Sequence, residues 1–370
     1  MKILYIFTGG RKKRWNKINS GEIPSEFFFG AYELNKKGYE IDILELEEIK
    51  KLNKPGRLKK YINSFFKKLT GLSTDKEIFK NSLDQLNQYD HIIASNDFIA
   101  LSLLPWIKKR KIKPPVIFFA MGQLANTENE NLNWLKNKIG KAVYKKLIKN
   151  SELGIFLGRG EFNLAQSLVK DKNKIHFLPF AVDTKFWQPN KNIEEENYIF
   201  SIGNDKARNW EMAIKLAQRM PEEKFKFISK SEILSQAKLP SNLEHINGGD
   251  WKNYILTDEE IKKFYQKCKI VIIPIKETFQ PSGQSVCLQA MSCGKPVIIS
   301  QYKGFWEPEK NKNNIHLIFS ENNIDNFCKN IKKLNKNKDL REKIGKNARN
   351  LTTKEYDMNS FAKKLLKLIK

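Results

Sequence analysis

The sequence predicts an α/β chain of two doubly wound domains, each a parallel sheet flanked by helices. Three observations carry that expectation. Apolar, β-branched runs recur along the whole chain, each closed by a glycine, proline or polar residue, as buried parallel strands are. Ile270-Val271-Ile272-Ile273, a helically spaced segment and Val297-Ile298-Ile299-Ser300 together make a complete β-α-β unit. The length of 370 residues exceeds what one core usually serves, and two domains of roughly 150–200 residues are expected.

Composition narrows the class. A hydrophobic content of 40% is enough for full cores, and 11% aromatic residues argue against disorder. The net charge of +26 attracts anionic partners such as nucleotides and anionic lipids. The lysines are spread throughout and no nucleic-acid module is present, so a nucleic-acid protein is not expected. Cys268, Cys287, Cys293 and Cys328 form no Cys-x-x-Cys and read as reduced core thiols. The chain starts directly on a strand, no stretch reaches the ~18 apolar residues of a membrane span, and a cytoplasmic location is expected.

Ile3 to Phe7 is the first strand, and Thr8-Gly9-Gly10 follows it. Gly9 and Gly10 open space above the sheet for a ligand. Arg11-Lys12-Lys13-Arg14-Trp15 is either a solvated loop or an anion or membrane contact. Pro24 to Lys37 has the helical spacing of Phe27, Phe28, Ala31 and Leu34, and Tyr39 to Leu44 is the second strand. In Arg57 to Leu72, Leu58, Tyr61, Ile62, Phe65, Phe66 and Leu69 share one helical face. Arg57, Lys59, Lys60, Lys67 and Lys68 decorate the remainder, without an acid. Such a helix suits an anionic membrane surface, or packs on a core with a solvated lysine face. Leu132 to Lys149 repeats the pattern with Trp134, Leu135, Ile139, Val143 and Leu147.

His91 to Ser95 and Val116 to Ala120 are further strands, followed by Asn96-Asp97 and Met121-Gly122-Gln123. Ligands of open α/β sheets bind beyond the carboxyl ends of strands, which makes Gly9, Gly10, Asn96 and Gly122 candidates for an acceptor side of a cleft. Gly154 to Leu157 leads into Gly158-Arg159-Gly160-Glu161. Glu161 is the candidate catalytic or acceptor-orienting carboxylate, the alternative being an acid at a helix N-terminus. Asn190 to Glu196 is polar and reads as a linker, placing the domains at 1–190 and 191–352, with a final helical segment over 353–370.

The second domain opens with the strand Tyr198 to Ile202, then Gly203-Asn204-Asp205-Lys206-Ala207-Arg208, then a helix from Glu211. Glycine followed by cations at a strand-to-helix junction suits phosphate. Ser282-Gly283-Gln284-Ser285 begins the helix after the strand at 270, with Ser282 as N-cap and Gly294 and Pro296 ending it. It is either a second phosphate cradle or an ordinary turn.

The run Pro281 to Ile298, PSGQSVCLQAMSCGKPVI, resembles the donor-site signature of family 4-like glycosyltransferases (glycosyl transferases group 1), which have the GT-B fold. Asp183 to Pro189 resembles that family's bridge between domains, and Gly203 to Arg208 its glycine and Arg/Lys loop. The family's Glu-x7-Glu pair is replaced: Pro281 and Gln289 stand at the two positions, and Glu277 lies in the same loop, four residues too early. The resemblance implies two Rossmann-like domains about a central cleft and a C-terminal helix returning to the first domain. It implies a retaining transferase that moves a sugar, a hexose first, from a nucleotide-sugar bound by Gly203, Lys206, Arg208, Glu277, Ser282, Gly283, Gln284, Ser285 and Gln289. A UDP-sugar is the first expectation.

No cofactor is expected, and no metal: there is no Asp-x-Asp motif and the four histidines are far apart. Joined to the basic helices, the expectation is a lipid or lipid-linked acceptor at the inner face of the plasma membrane. A soluble or polysaccharide-core acceptor, and a non-catalytic nucleotide-binding protein, are the alternatives.

Overall fold

The computed structural model describes residues 1–52, 57–128, 133–250 and 253–370, with residues 51, 52 and 57–60 as backbone only. Six parallel strands build the first sheet: β1 (Lys2–Phe7), β2 (Glu40–Glu45), β3 (His91–Ala94), β4 (Val116–Ala120), β5 (Leu153–Phe156) and β6 (Ile175–Phe177). Their order is β2-β1-β3-β4-β5-β6. The second sheet contains β7 (Ile199–Ile202), β8 (Phe225–Ile228), β9 (Leu243–Ile246), β10 (Ile270–Ile273), β11 (Val297–Ser300) and β12 (Ile318–Ser320). It runs β12-β11-β10-β7-β8-β9. Strand order reverses beside β1 in the first sheet and beside β7 in the second, and such reversals open a crevice at the carboxyl ends.

Alternation along each strand sorts side chains between layers. Ile3, Tyr5 and Phe7 of β1 enter a core continuous with Val271 and Ile273 of β10 and with the crossover residue Trp187. Leu4 and Ile6 face a separate core of the first domain. Ile270 and Ile272 face one of the second domain. The shared core, not a thin linker, therefore joins the domains. The C-terminal helix Met358–Ile369 belongs to it: Phe361 stacks on Phe119 of β4 with ring centroids 6.2 Å apart.

Several local expectations change. Pro24 to Lys37 is not one helix. A 3-10 turn Glu26–Phe28 is followed by Phe29 and Gly30 in the left-handed region (φ 51 and 85) and then by the helix Ala31–Asn35. Gly30, at φ 85, takes a backbone conformation that favours glycine, and the C-terminal helix packs on it in ordinary contact, a Cβ there lying 3.4 Å from Leu365. Ser282 is not the N-cap: the helix Gln284–Ser292 starts at Gly283, whose φ is 75. The last segment divides into Lys338–Glu355 and Met358–Ile369, because Asp357 caps a new helix by accepting from the Asn359 N–H. The four cysteines are buried and unbridged.

The helix Arg57–Thr70 lies against Trp134–Asn150. A Cβ at Gly140 would lie 2.3 Å from the Thr70 carbonyl oxygen, so their approach depends on that glycine.

Another close approach supports the helix Gln284–Ser292. The helix Lys338–Glu355 crosses the turn after Gln284–Ser292 so tightly that a Cβ at Gly345 would lie 2.0 Å from the Gly294 carbonyl oxygen. Backbone cannot yield as a flexible side chain does. Gly345→Ala is expected to cost about 2 kcal/mol and to lower the melting temperature by about 5 °C. Calorimetry showing less than about 1 °C of change would mean that the two elements do not pack so closely in solution.

Candidate active site

Both sheets point their carboxyl ends at one cleft of about 610 Å³. Thr8, Asn96, Met121 and Leu157 line it from the ends of β1, β3, β4 and β5; Gly203, Ser229, Gly248 and the loop at Ser282 line it from β7, β8, β9 and β10.

Arg208 is the central cation of the second-domain wall. The turn from Gly203 to Asn209 is sewn to the end of β10: the Asn209 N–H donates to the Pro274 carbonyl and the Lys276 N–H to the Ala207 carbonyl. That turn buries the Arg208 side chain completely, 3.1 Å from the Asp205 carboxylate. Among the described residues its Nη1 has no hydrogen-bond partner. Gly203 makes room for the guanidinium, since a Cβ there would lie 2.5 Å from Nη2. Gly283, where a Cβ would lie 3.7 Å from the same Nη2, opens the helix Gln284–Ser292. An arginine beside a helix N-terminus is a strong arrangement for an oxyanion of phosphate. The adjoining loop is held by Tyr302, which donates to the Ser282 carbonyl at 2.5 Å.

The basic run after β1 divides in two. Lys12 points outward to Glu48. Arg11 and Arg14 turn into the cleft wall. The Glu45 carboxylate accepts from the backbone N–H groups of both Arg11 and Lys12, which fixes the turn. Burial and the neighbouring Arg14 lower the Arg11 pKa to about 10, so it stays charged at neutral pH. Arg14 meets Asp258 of the second domain at 2.5 Å, with both side chains largely buried. This ion pair spans the cleft.

Gly203, Arg208, Ser282, Gly283, Gln284, Ser285 and Asn96 all line the cleft. Other expected residues are placed elsewhere. Lys206 is exposed outside the lining. Glu277 accepts from the Lys303 N–H at 2.9 Å, away from the cleft. Gln289 is buried with both ends of its amide engaged, accepting from Tyr265 at 3.1 Å and donating to Glu26 at 3.0 Å. Gly9 packs on Glu47, and Thr8 rather than Gly9 or Gly10 reaches the lining. Gly122 lies beneath the Gln280 side chain, so Met121 is the lining residue there.

Glu161 is corrected most. It sits beneath the loop after β4, 1% exposed, accepting from the Ala125 N–H at 3.1 Å. Asp97 holds the same loop by accepting from the Met121 and Gln123 N–H groups and from Tyr144. Burial raises Asp97 to about 6. Burial, then the Asp97 charge, raises Glu161 to about 8. The two acids shape a loop; neither is part of the cleft lining. The loop in turn touches the second domain, where Gln280 donates to the Met121 carbonyl at 3.2 Å.

Residues 183–351 match the family described as glycosyl transferases group 1. The second domain belongs to that family. The group 1 domain contains Arg208, Gly283 and Gln289, and the whole chain has the GT-B fold. HepE of Anabaena, solved with UDP and glucose, superposes with a TM-score of 0.68 at 12% identity over 99% of this chain and 98% of that one. Sucrose-phosphate synthase of Thermosynechococcus elongatus gives a TM-score of 0.73 at 13% identity over 100% and 98%. An uncharacterized glycosyltransferase of Methanocaldococcus jannaschii is 26% identical over 133 residues, 35% of this chain and only 36% of that protein.

The Glu161 carboxyl makes a pH-dependent stability prediction. Its folded pKa lies above the ordinary value, so its contribution is full below about pH 4.5 and is lost as pH rises through about 8. Glu161→Gln keeps the acceptor for Ala125 and cannot ionise. Its melting temperature relative to the native chain should therefore rise steadily between about pH 5 and about pH 8. Thermal scans in which the difference stays constant would place Glu161 in contact with water.

Proposed function

We propose that the chain is a retaining, metal-independent glycosyltransferase that carries a hexose from a UDP-sugar to a lipid or lipid-linked acceptor at an anionic, cytoplasmic membrane surface. The carrying observation is the buried Arg208 guanidinium, with Nη1 unpartnered among the described residues, near the start of the helix Gln284–Ser292 in a cleft between two domains. The donor's diphosphate would rest there. An acceptor hydroxyl oxygen bonds to the anomeric carbon as the bond from that carbon to the diphosphate oxygen breaks. The hydroxyl proton leaves with the departing diphosphate, whose growing charge Arg208 neutralises. Walls from both domains keep water out. HepE, solved with UDP-glucose, supports the uridine donor.

The acceptor class rests on an exposed surface. Tyr61 (75% exposed), Ile62 (51%) and Phe65 (67%) are exposed on Arg57–Thr70, and Trp134 (71%) and Leu135 (47%) on the helix Trp134–Asn150 packed against it. Phe66 is half-buried against the first domain, and Lys67 and Lys68 are exposed. The side chains of Arg57, Lys59 and Lys60 lie outside the described residues. Large apolar groups flanked by lysines suit the boundary of an anionic bilayer. Among the described residues no helix is long and apolar enough to cross a membrane. Gln123 connects this surface to the cleft: its side chain accepts from the Ser73 N–H just beyond the first helix, and Met121 lines the cleft two residues before it.

Nucleotide release from UDP-, GDP- and ADP-sugars, with and without anionic liposomes carrying diacylglycerol, tests the reading. Release from a UDP-sugar that rises with liposomes is expected; release indifferent to liposomes would move the acceptor to the soluble or polysaccharide class. Nucleotide binding without release from any donor would point to a non-catalytic protein. Arg208→Ala should cut turnover by about 100-fold, and unchanged turnover would remove its diphosphate role. Phe65→Ser should weaken liposome flotation by about tenfold through lost apolar burial, with UDP affinity preserved.

A further inference from the structure

Glu26 is an acid inside the run Phe27-Phe28-Phe29, and it is completely buried where the two domains meet. Three N–H groups converge on it. Trp187 Nε1 and Gln289 Nε2 donate to Oε1 at 2.7 and 3.0 Å, and the Asp183 N–H donates to Oε2 at 3.2 Å. Trp187 and Asp183 belong to the crossover, and Gln289 to the helix Gln284–Ser292 of the second domain. One first-domain carboxylate thus joins three parts of the chain.

This contact also gives a reason for the residue at 289. That side chain must accept from Tyr265 at one end and donate to Glu26 at the other. A carboxamide does both, whereas a carboxylate only accepts. Glutamate at 289 would set two buried carboxylates against each other, and like charges at that separation cannot both ionise without large cost. An acid at 289, where the family resemblance expects one, would face the Glu26 carboxyl across the boundary.

We propose that Glu26 is a positioning residue of the donor site: through Gln289 it sets, from the first domain, the angle of the helix that presents Gly283 and Ser285 to the donor diphosphate. Gln289 is four residues after Ser285, one helical turn or ~6 Å along the axis, so a tilt at one is felt at the other. The inference rests on the nucleotide-sugar reading for what the helix presents, while the pairing itself is independent of it.

The reciprocal exchange separates the two. In Gln289→Glu a protonated carboxyl can still donate to Glu26 and accept from Tyr265; an ionised one cannot. The titratable or charged groups nearest the pair are Asp183 and Tyr265, with Glu33 beside Asp183 and Asp357 and with Arg208 near Tyr265. The single variant should therefore melt close to the native chain at about pH 5.5 and well below it at about pH 8.5. In E26Q/Q289E the amide of residue 26 donates to the new carboxylate, and the pH-dependent part of the loss should disappear, although the Trp187 bond is not restored. UDP affinity, measured by calorimetry, should follow the same pattern: about tenfold weaker for Gln289→Glu at the higher pH and recovered by at least half that factor in the double variant. A loss independent of pH and not relieved by the exchange would overturn the pairing. Recovery of melting temperature without recovery of UDP affinity would confine Glu26 to stability and overturn its positioning role. A native chain that binds none of UDP, GDP and ADP would overturn the donor reading, and the positioning role with it; the melting arm would still decide the pairing.

Discussion

Three glycines of the first domain govern how near the second domain comes, because each yields its Cβ volume to one loop. A Cβ on Gly122 would lie 2.5 Å from the Gln280 side chain, one on Gly158 2.8 Å from Pro281, and one on Gly160 2.4 Å from the Phe279 carbonyl oxygen. The loop of residues 278–281 is therefore seated directly on first-domain backbone. Pro281 stands where the family resemblance expects a carboxylate, and its ring fills the hollow over Gly158. A longer side chain there would have to displace the packing over Gly158. The missing acid and the glycines opposite it are one feature.

The charges of the cleft follow the same logic of pairing across short distances. Asp205 holds Arg208, Asp258 holds Arg14 and Asp250 meets Lys230 at 2.6 Å. Each pair keeps a long cation in one place, which fixes the charges of the cleft more than the modest stability of an isolated ion pair would suggest. Of these three, the Arg14 pair joins the two domains. Gln284 adds a neutral tie by donating to the Leu157 carbonyl at 3.2 Å, so a residue that lines the cleft also holds it together.

The parallel sheets, their carboxyl-end loops and the glycine-bearing turns at Gly203 and Gly283 were legible in the sequence, because apolar runs and breakers act locally. Strand β8 was less so: Lys226 interrupts its apolar face by pairing with Glu196 and Glu244 on adjoining segments. The break at Phe29 was hidden, because Pro24 to Lys37 keeps helical spacing and the C-terminal helix that packs on Gly30 lies far along the chain. Exposure of the aromatic faces at Tyr61 and Trp134 was a choice between two readings that only packing resolves. Glu161 and Gln289 looked like cleft residues from their offsets. Their side chains turn inward to orphan backbone N–H groups and to Glu26, partners more than thirty residues distant in the chain. Glu26 itself carried a signal, an acid within three phenylalanines, but its partners lay beyond any local window.

The four cysteines have a practical consequence. All are buried, and burial raises the pKa of each thiol, so little reactive thiolate meets solvent near neutral pH. Maleimides therefore meet little native thiolate in the folded chain, Cys328 being the least buried of the four. A fluorophore attached at a cysteine introduced on the outer face of either aromatic helix would report from that position alone, without first stripping the native thiols from the core.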